Sequence, residues 1–288
     1  MLSTDSEPAV ETRGLVRLFG ELRAVDGLDL RVERGECLGL LGPNGAGKTT
    51  TLRILSTLAV PTEGTVRVLG LDPLTHGSAV RRRIGVVPQE VALYPTLTAR
   101  ENLAFFGEMY GVKRDSLSAR VDWGLEVAGL EERADSRVET FSGGMRRRLN
   151  IVAALLHEPE LVFLDEPTVG IDPQSRHHIF DMVDDMRAAG TTMIYTTHQL
   201  GEVERLCDRI VIMDRGRTIA AGTLQELQQK SCESGGRGDG LEFGPQVDLE
   251  EVVRVLGERG IQAQVRETRP DLEEVFLTLT GHALRDED

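Results

Sequence analysis

The chain has 288 residues, 40% of them hydrophobic, which is room for one large domain, or a large domain with an appendage, around a real core. A formal net charge of −14 and a pI near 5.0 argue against a nucleic-acid partner or adhesion to anionic lipid, since both require a basic surface. Cys37, Cys207 and Cys232 stand far apart with no C-x-x-C pair, so neither a disulfide framework nor a zinc site is expected and the setting reads as the reducing cytoplasm.

Residues 1–8 are polar and acidic, lack the layout of a secretory signal, and are expected to be disordered. Short apolar runs then alternate with amphipathic stretches from about Arg13 to Met213, the pattern of an α/β fold around a largely parallel sheet. Residues 28–32 and 37–41 read as strands, and the second ends at Gly42, after which 49–58 has helical spacing. Further strands are predicted at 66–69, 84–87, 161–164, 193–197 and 210–213. Between Gln89 and Pro159 the strand signal fades and 99–110, 116–128 and 144–157 read as helices, so about 90–159 is a helical insertion of the kind that forms a separate lobe. The main domain is placed at 9–230, the small-residue run 231–240 reads as a linker, and 241–288 reads as a small α/β tail or a dimer-packing element. Helical patterns at 248–258 and 271–279 flank a strand-like stretch near Val265. No run of about eighteen apolar residues occurs, so no membrane span is expected and a transport role requires a separate membrane partner.

The segment Gly42, Pro43, Asn44, Gly45, Ala46, Gly47, Lys48, Thr49, Thr50 lies between a strand and a helix. Its glycines let the backbone curl with N–H groups turned inward onto an anion, and the helix N-terminus adds a favourable dipole. Lys48 is expected to reach the β- and γ-phosphates and Thr49 to ligate Mg²⁺ through a hard oxygen. The apolar run 161–164 delivers Asp165 and Glu166 at its carboxyl end, where Asp165 suits Mg²⁺ and Glu166 suits a general base on water. Ser142, Gly143 and Gly144 open a helix and form a second anion site. Two basic triplets, Arg81 to Arg83 and Arg146 to Arg148, read as solvated helix faces.

Taken together these segments resemble the ATP-binding cassette (ABC) family, whose signature Leu-Ser-Gly-Gly-Gln stands here as Phe141-Ser-Gly-Gly-Met145. The resemblance covers about residues 13–222 and implies a P-loop NTPase core with a largely parallel sheet, an antiparallel β subdomain, a helical insertion and a small C-terminal α/β tail. It implies a homodimer formed head to tail with a second ABC ATPase subunit, ATP and Mg²⁺ lying between one copy's 42–50 loop and the other's 142–144 helix start. It also gives roles to single residues. Gln89 matches the glutamine that meets Mg²⁺ and links core to lobe, and His198 matches the histidine that bonds the γ-phosphate and orients Glu166. Asp172 matches the loop crossing the dimer seam. Phe19 occupies the place of the aromatic that stacks on adenine, although it also reads as a core residue of a strand. Met145 departs from the signature glutamine and removes an amide donor, and Phe19 stands where many relatives have tyrosine.

Around 93–106 lies a further apolar stretch that reads either as packing of the helical lobe or, by the resemblance, as part of the groove that receives a short cytoplasmic helix of the membrane subunit. The text around 145–150, 168–175 and 272–281 resembles the ATP-binding subunits of bacterial ABC-2 type exporters of drugs, antibiotics or lipid-like compounds, acting on the cytoplasmic side of the membrane. An importer subunit and a nucleotide-dependent regulatory module stay open as alternatives. A DNA-repair cassette is disfavoured by the lack of a long coiled coil between Lys48 and Asp165, and a translation-type cassette by the presence of a single core.

Overall fold

The computed structural model describes residues 7–233, 251–252, 254–255 and 272–280. Three strands, β1 (Val10–Phe19), β2 (Leu22–Val32) and β4 (Glu63–Val68), form an antiparallel sheet in the order β2-β1-β4. A second sheet has the order β5-β6-β7-β3-β8-β9, built from β3 (Cys37–Leu41), β5 (Ile84–Val87), β6 (Leu161–Asp165), β7 (Thr192–Thr197), β8 (Arg209–Asp214) and β9 (Arg217–Gly222). Every pairing in it is parallel except β8 with β9. Strands β3, β6 and β7 are buried at every residue, which is why their sequences show no polar alternation: both faces are covered.

The order β6-β7-β3 has a functional consequence. The loops leaving the carboxyl ends of these three neighbours emerge side by side, and they are the segments after Leu41, Asp165 and Thr197.

Helix α1 (Lys48–Leu55) follows β3, and α2 (Gly77–Arg81) precedes β5. The helical insertion consists of α3 (Ala99–Met109), α4 (Arg114–Ala128) and α5 (Gly143–Ala153), which bury Leu103, Leu125, Leu149 and Val152 in one apolar cluster. Burial of each such side chain is worth roughly 1.5–3 kcal/mol. Thr98 and Glu101 close a reciprocal cap that starts α3, and α6 (Pro173–Ala188) begins with Asp172 as cap and proline at its first turn. Helices α7 (Leu200–Leu206), α8 (Leu224–Glu233) and α9 (Leu272–Thr280) follow.

Several boundaries differ from the sequence reading. Strands β1 and β9 were not anticipated; β1 carries register shifts near Gly14 that interrupt its alternation, and β9 is an edge strand with half its face exposed. The strand read at 28–32 is the end of the longer β2 and belongs to the antiparallel sheet. Helix α1 stops at Leu55 instead of 58 because Thr57 turns to a φ of +69° and the Leu58 N–H bonds back to the Arg53 carbonyl. Helix α5 likewise ends at Ala153.

Helix α8 runs through Glu233, into the stretch read as linker, and residues 234–250 lie outside the described residues. So do residues 1–6, the strand-like stretch at Val265 and most of the predicted helix 248–258. The helix expected at 271–279 is present as α9, and its Leu272, Val275 and Phe276 are buried against Leu41, Val203, Ile212 and Leu227. No helix among the described residues is long and apolar enough to cross a membrane.

Candidate active site

The glycine loop after β3 is shaped by two close approaches. A Cβ at position 42 would stand 2.2 Å from the Met213 carbonyl oxygen, so only glycine fits there. Gly47 has φ +101° and a Cβ on it would lie 2.4 Å from the Ala24 oxygen, so both its conformation and its space exclude a side chain. The loop therefore stays tight, and Lys48, the first residue of α1, is 4% exposed.

The Lys48 ammonium donates to the carbonyls of Gly42 at 2.6 Å and Pro43 at 3.1 Å, and lies 3.2 Å from Glu166 Oε1. Burial pushes the Lys48 pKa down, while the Glu166 charge and then Asp165 draw it up. On the far side of the same carboxylate, His198 Nδ1 stands 3.3 Å from Glu166 Oε2. Lys48, Glu166 and His198, read from three separate segments, are thus brought into one line.

Asp165 closes β6, and its Oδ1 accepts from Thr196 Oγ1 at 2.7 Å and from Thr49 Oγ1 at 3.1 Å. Glu166 adopts a φ of +44°, a left-handed conformation costly for a residue with a side chain, and its N–H is tied to the Thr196 carbonyl at 3.1 Å and hydroxyl at 3.0 Å. The neighbouring strand therefore holds the backbone turn that aims the carboxylate.

Other predicted residues lie apart. Ser142 caps α5 by accepting from the Met145 N–H at 3.2 Å, and it and Gly143 are exposed. Gly144 is packed instead, since a Cβ there would stand 2.0 Å from Ser175 Oγ. Asp172 accepts from the Ser175 N–H at 2.9 Å, which holds its carboxyl below the usual range. Gln89 is exposed just beyond β5. Phe19 is half-exposed at the end of β1 with the Arg17 guanidinium 4.6 Å over its ring, so it is not a core residue.

The description "ABC transporter" matches residues 25–169. The chain belongs to the ABC transporter family. This ABC protein is 49% identical over 218 residues to the linearmycin resistance ATP-binding protein LnrL of Bacillus subtilis (strain 168), covering 76% of this chain and 70% of that one. It is 42% identical to the daunorubicin resistance ATP-binding protein DrrA3 of Streptomyces coeruleorubidus, covering 96% and 97% of the two chains. With the Nod factor export ATP-binding protein I of Ralstonia nicotianae it shares 46% identity over 77% of this chain and 69% of that one. Among solved structures, the ATP-binding subunit of an ABC transporter superposes with a TM-score of 0.72 at 30% identity, covering 86% of this chain and 99% of that one. A dimeric ATP-binding cassette in a post-hydrolysis state with ADP and Pi superposes with a TM-score of 0.68 at 27% identity, covering 75% and 98%. The ABC chain is accordingly a P-loop ATPase that binds ATP.

Four features of this ABC ATPase escaped the sequence reading. Arg147 was taken with its neighbours as a solvated face, yet it is 2% exposed, because α5 turns it inward while Arg146 stays out. Desolvation lowers its pKa to about 10. Arg83 is also engaged, pairing with Glu160 at 2.5 Å, whereas Arg81 and Arg82 are exposed as expected. Glu202 is 3% exposed and accepts from the hydroxyls of Thr168 at 2.5 Å, Thr197 at 2.8 Å and Tyr195 at 3.0 Å, binding the segment after Glu166 to the one before His198. Finally, Cys37 and Cys207, far apart in sequence, meet with their Sγ atoms at 4.0 Å as free thiols. The Cys232 side chain lies outside the described residues.

Proposed function

We propose that this ATPase drives a separate ABC-2 type membrane permease from the cytoplasmic side, exporting drugs, antibiotics or lipid-like compounds, with two copies closing head to tail around two ATP. The names of the relatives, two for antibiotic resistance and one for Nod factor export, support the export reading.

The observation that carries the catalytic assignment is the line Lys48, Glu166, His198 across the ends of three adjacent strands. In this reading the 42–50 loop amides and Lys48 hold the triphosphate and stabilise charge on the transferring γ-phosphoryl. Glu166 takes the proton of the attacking water, and His198 orients that carboxylate. Phe19 stacks on adenine, Gln89 relays the state of the site to the lobe, and the partner's Ser142 to Gly144 amides complete the γ-phosphate cradle.

Thr49 and Asp165 suit Mg²⁺: their oxygens are hard donors 3.1 Å apart at the end of the phosphate loop. When bound, the ion neutralises charge on the phosphate oxygens.

An exposed aromatic face supports permease docking on the lobe. Tyr94, Phe105 and Met109 are exposed, and the Tyr94 and Phe105 rings meet edge to face at 4.8 Å. Such a rigid apolar patch suits a short amphipathic helix.

Glu166→Gln tests the assignment. The expected variant binds ATP, accumulates as a closed dimer by size-exclusion chromatography, and loses phosphate release by about 10²-fold or more. Hydrolysis at the wild-type rate would remove Glu166 as base.

A further inference from the structure

Arg147 stands on the second turn of α5, the helix that Ser142 opens. Its guanidinium donates five hydrogen bonds, all to main-chain carbonyls. Nε reaches Pro167 at 2.7 Å, and Nη2 reaches Asp165 at 2.9 Å and Glu166 at 3.1 Å. Nη1 points elsewhere, to Pro88 at 2.5 Å and Gln89 at 3.0 Å. One planar group therefore joins three segments: the helix behind the exposed Ser142, the turn after β5, and the left-handed turn that aims Glu166.

A buried cation is costly and is ordinarily matched by a carboxylate. Here every hydrogen-bond partner is a carbonyl, and the nearby Asp165 charge adds an attraction that any cation would feel, so opposite charge is not what selects an arginine over a lysine at this place. The fork geometry is. Five donors spread in one plane serve carbonyls from two separate turns at once, which the compact ammonium of lysine cannot do. Thr168, next along the catalytic segment, is anchored separately through Glu202, so residues 165–168 are held by two buried charged groups.

We propose that Arg147 is a positioning residue that couples the Ser142 helix and the Gln89 turn to Glu166, so that hydrolysis runs only when the lobe is seated against the core. The proposal rests on the reading of Glu166 as base.

The test compares full-length wild type, Arg147→Lys, Arg147→Gln, Glu166→Gln and the double variant Arg147→Lys with Glu166→Gln. Phosphate release gives kcat and KM, a fluorescent ATP analogue gives affinity, and a thermal melt reports the fold. Both Arg147 variants are expected to fold and to keep KM and analogue affinity within about threefold, while kcat falls by about tenfold or more. In the Glu166→Gln background, Arg147→Lys is expected to lower the residual rate by less than about twofold, because the two residues act through one step.

Wild-type kcat in both Arg147 variants would overturn the proposal. So would the same fold-loss with and without Glu166, or loss of the cooperative melt in both variants, which would make Arg147 a structural residue only. If Glu166→Gln alone retains full turnover, the reading of Glu166 fails, and that result is distinct from an inactive Glu166→Gln beside a fully active Arg147→Lys.

Discussion

The two glycine-containing helix starts of this chain are built in opposite ways. The loop 42–50 is closed and internally wired, with Lys48 buried among carbonyls and against Glu166. The helix start at 142–144 is open: Ser142 and Gly143 face solvent, and the only tight packing is behind them, at Gly144. The first is a site within one chain. The second is a surface that gains meaning when another molecule meets it, and in the proposed pairing of two copies each loop receives the other's helix start.

The largest effect that can sharpen this contrast is at the closed half. Lys48→Ala leaves Glu166 buried without its cation, and is expected to lower both ATP affinity and turnover by about 10²-fold or more, read by nucleotide titration and phosphate release. Ser142→Ala is expected to behave differently: it removes a helix cap worth about 1 kcal/mol, leaves nucleotide binding by a single copy unchanged, and lowers turnover by about tenfold. Mixing the two variants tests the contrast directly. A mixed pair has one intact site, made of the Ser142→Ala copy's loop and the Lys48→Ala copy's helix start, so an equal mixture should recover up to about a quarter of the wild-type rate. No recovery would break the division into closed and open halves.

Smaller effects follow. Gly144→Ala forces a Cβ into Ser175 and should cost about 1–3 kcal/mol in a denaturant melt, whereas Gly143→Ala, with open space around it, should be neutral or stabilise by up to about 1 kcal/mol. Phe19→Ala should weaken ATP by about 1 kcal/mol, near fivefold, and leave inorganic phosphate binding alone.

The smallest effect lies outside both halves. The Arg83 hydrogen bond and then that of Arg34 hold the Glu160 carboxyl below its ordinary value. That contribution is present above the unfolded pKa and is lost as pH falls through the folded one. Glu160→Gln should therefore flatten the acid limb of the stability profile by less than about 1 kcal/mol, as for any half-exposed pair.

The parallel strands, such as Cys37–Leu41 and Ile84–Val87, were legible from sequence because their apolar runs are largely buried on both faces and owe nothing to register, whereas β2 and β4 were legible only at their alternating ends. Strand β1 could not be read, because its bulges break the alternation and its buried residues do not recur at every second position. In the site, the phosphate loop was evident from glycine spacing, but Arg147 was not. A triplet of arginines looks alike in sequence, and only the helix angle selects the one that turns inward.

By itself the sequence determined the contiguous chemistry: a glycine loop before a helix, a paired Asp165 and Glu166 at a strand end, and a Ser-Gly-Gly helix start, each of which works through neighbours along the chain. Tertiary structure alone decided which distant groups complete it. Thr196 beside Asp165, the Glu202 carboxylate shared by Thr168 and Thr197, and the Arg147 fork on five carbonyls all depend on the parallel order β6-β7-β3 and on how the lobe seats against it. Hydrogen bonding reads distance in space, and the carbonyls that Arg147 reaches, 18 to 59 positions away, carry no local pattern that would announce their meeting.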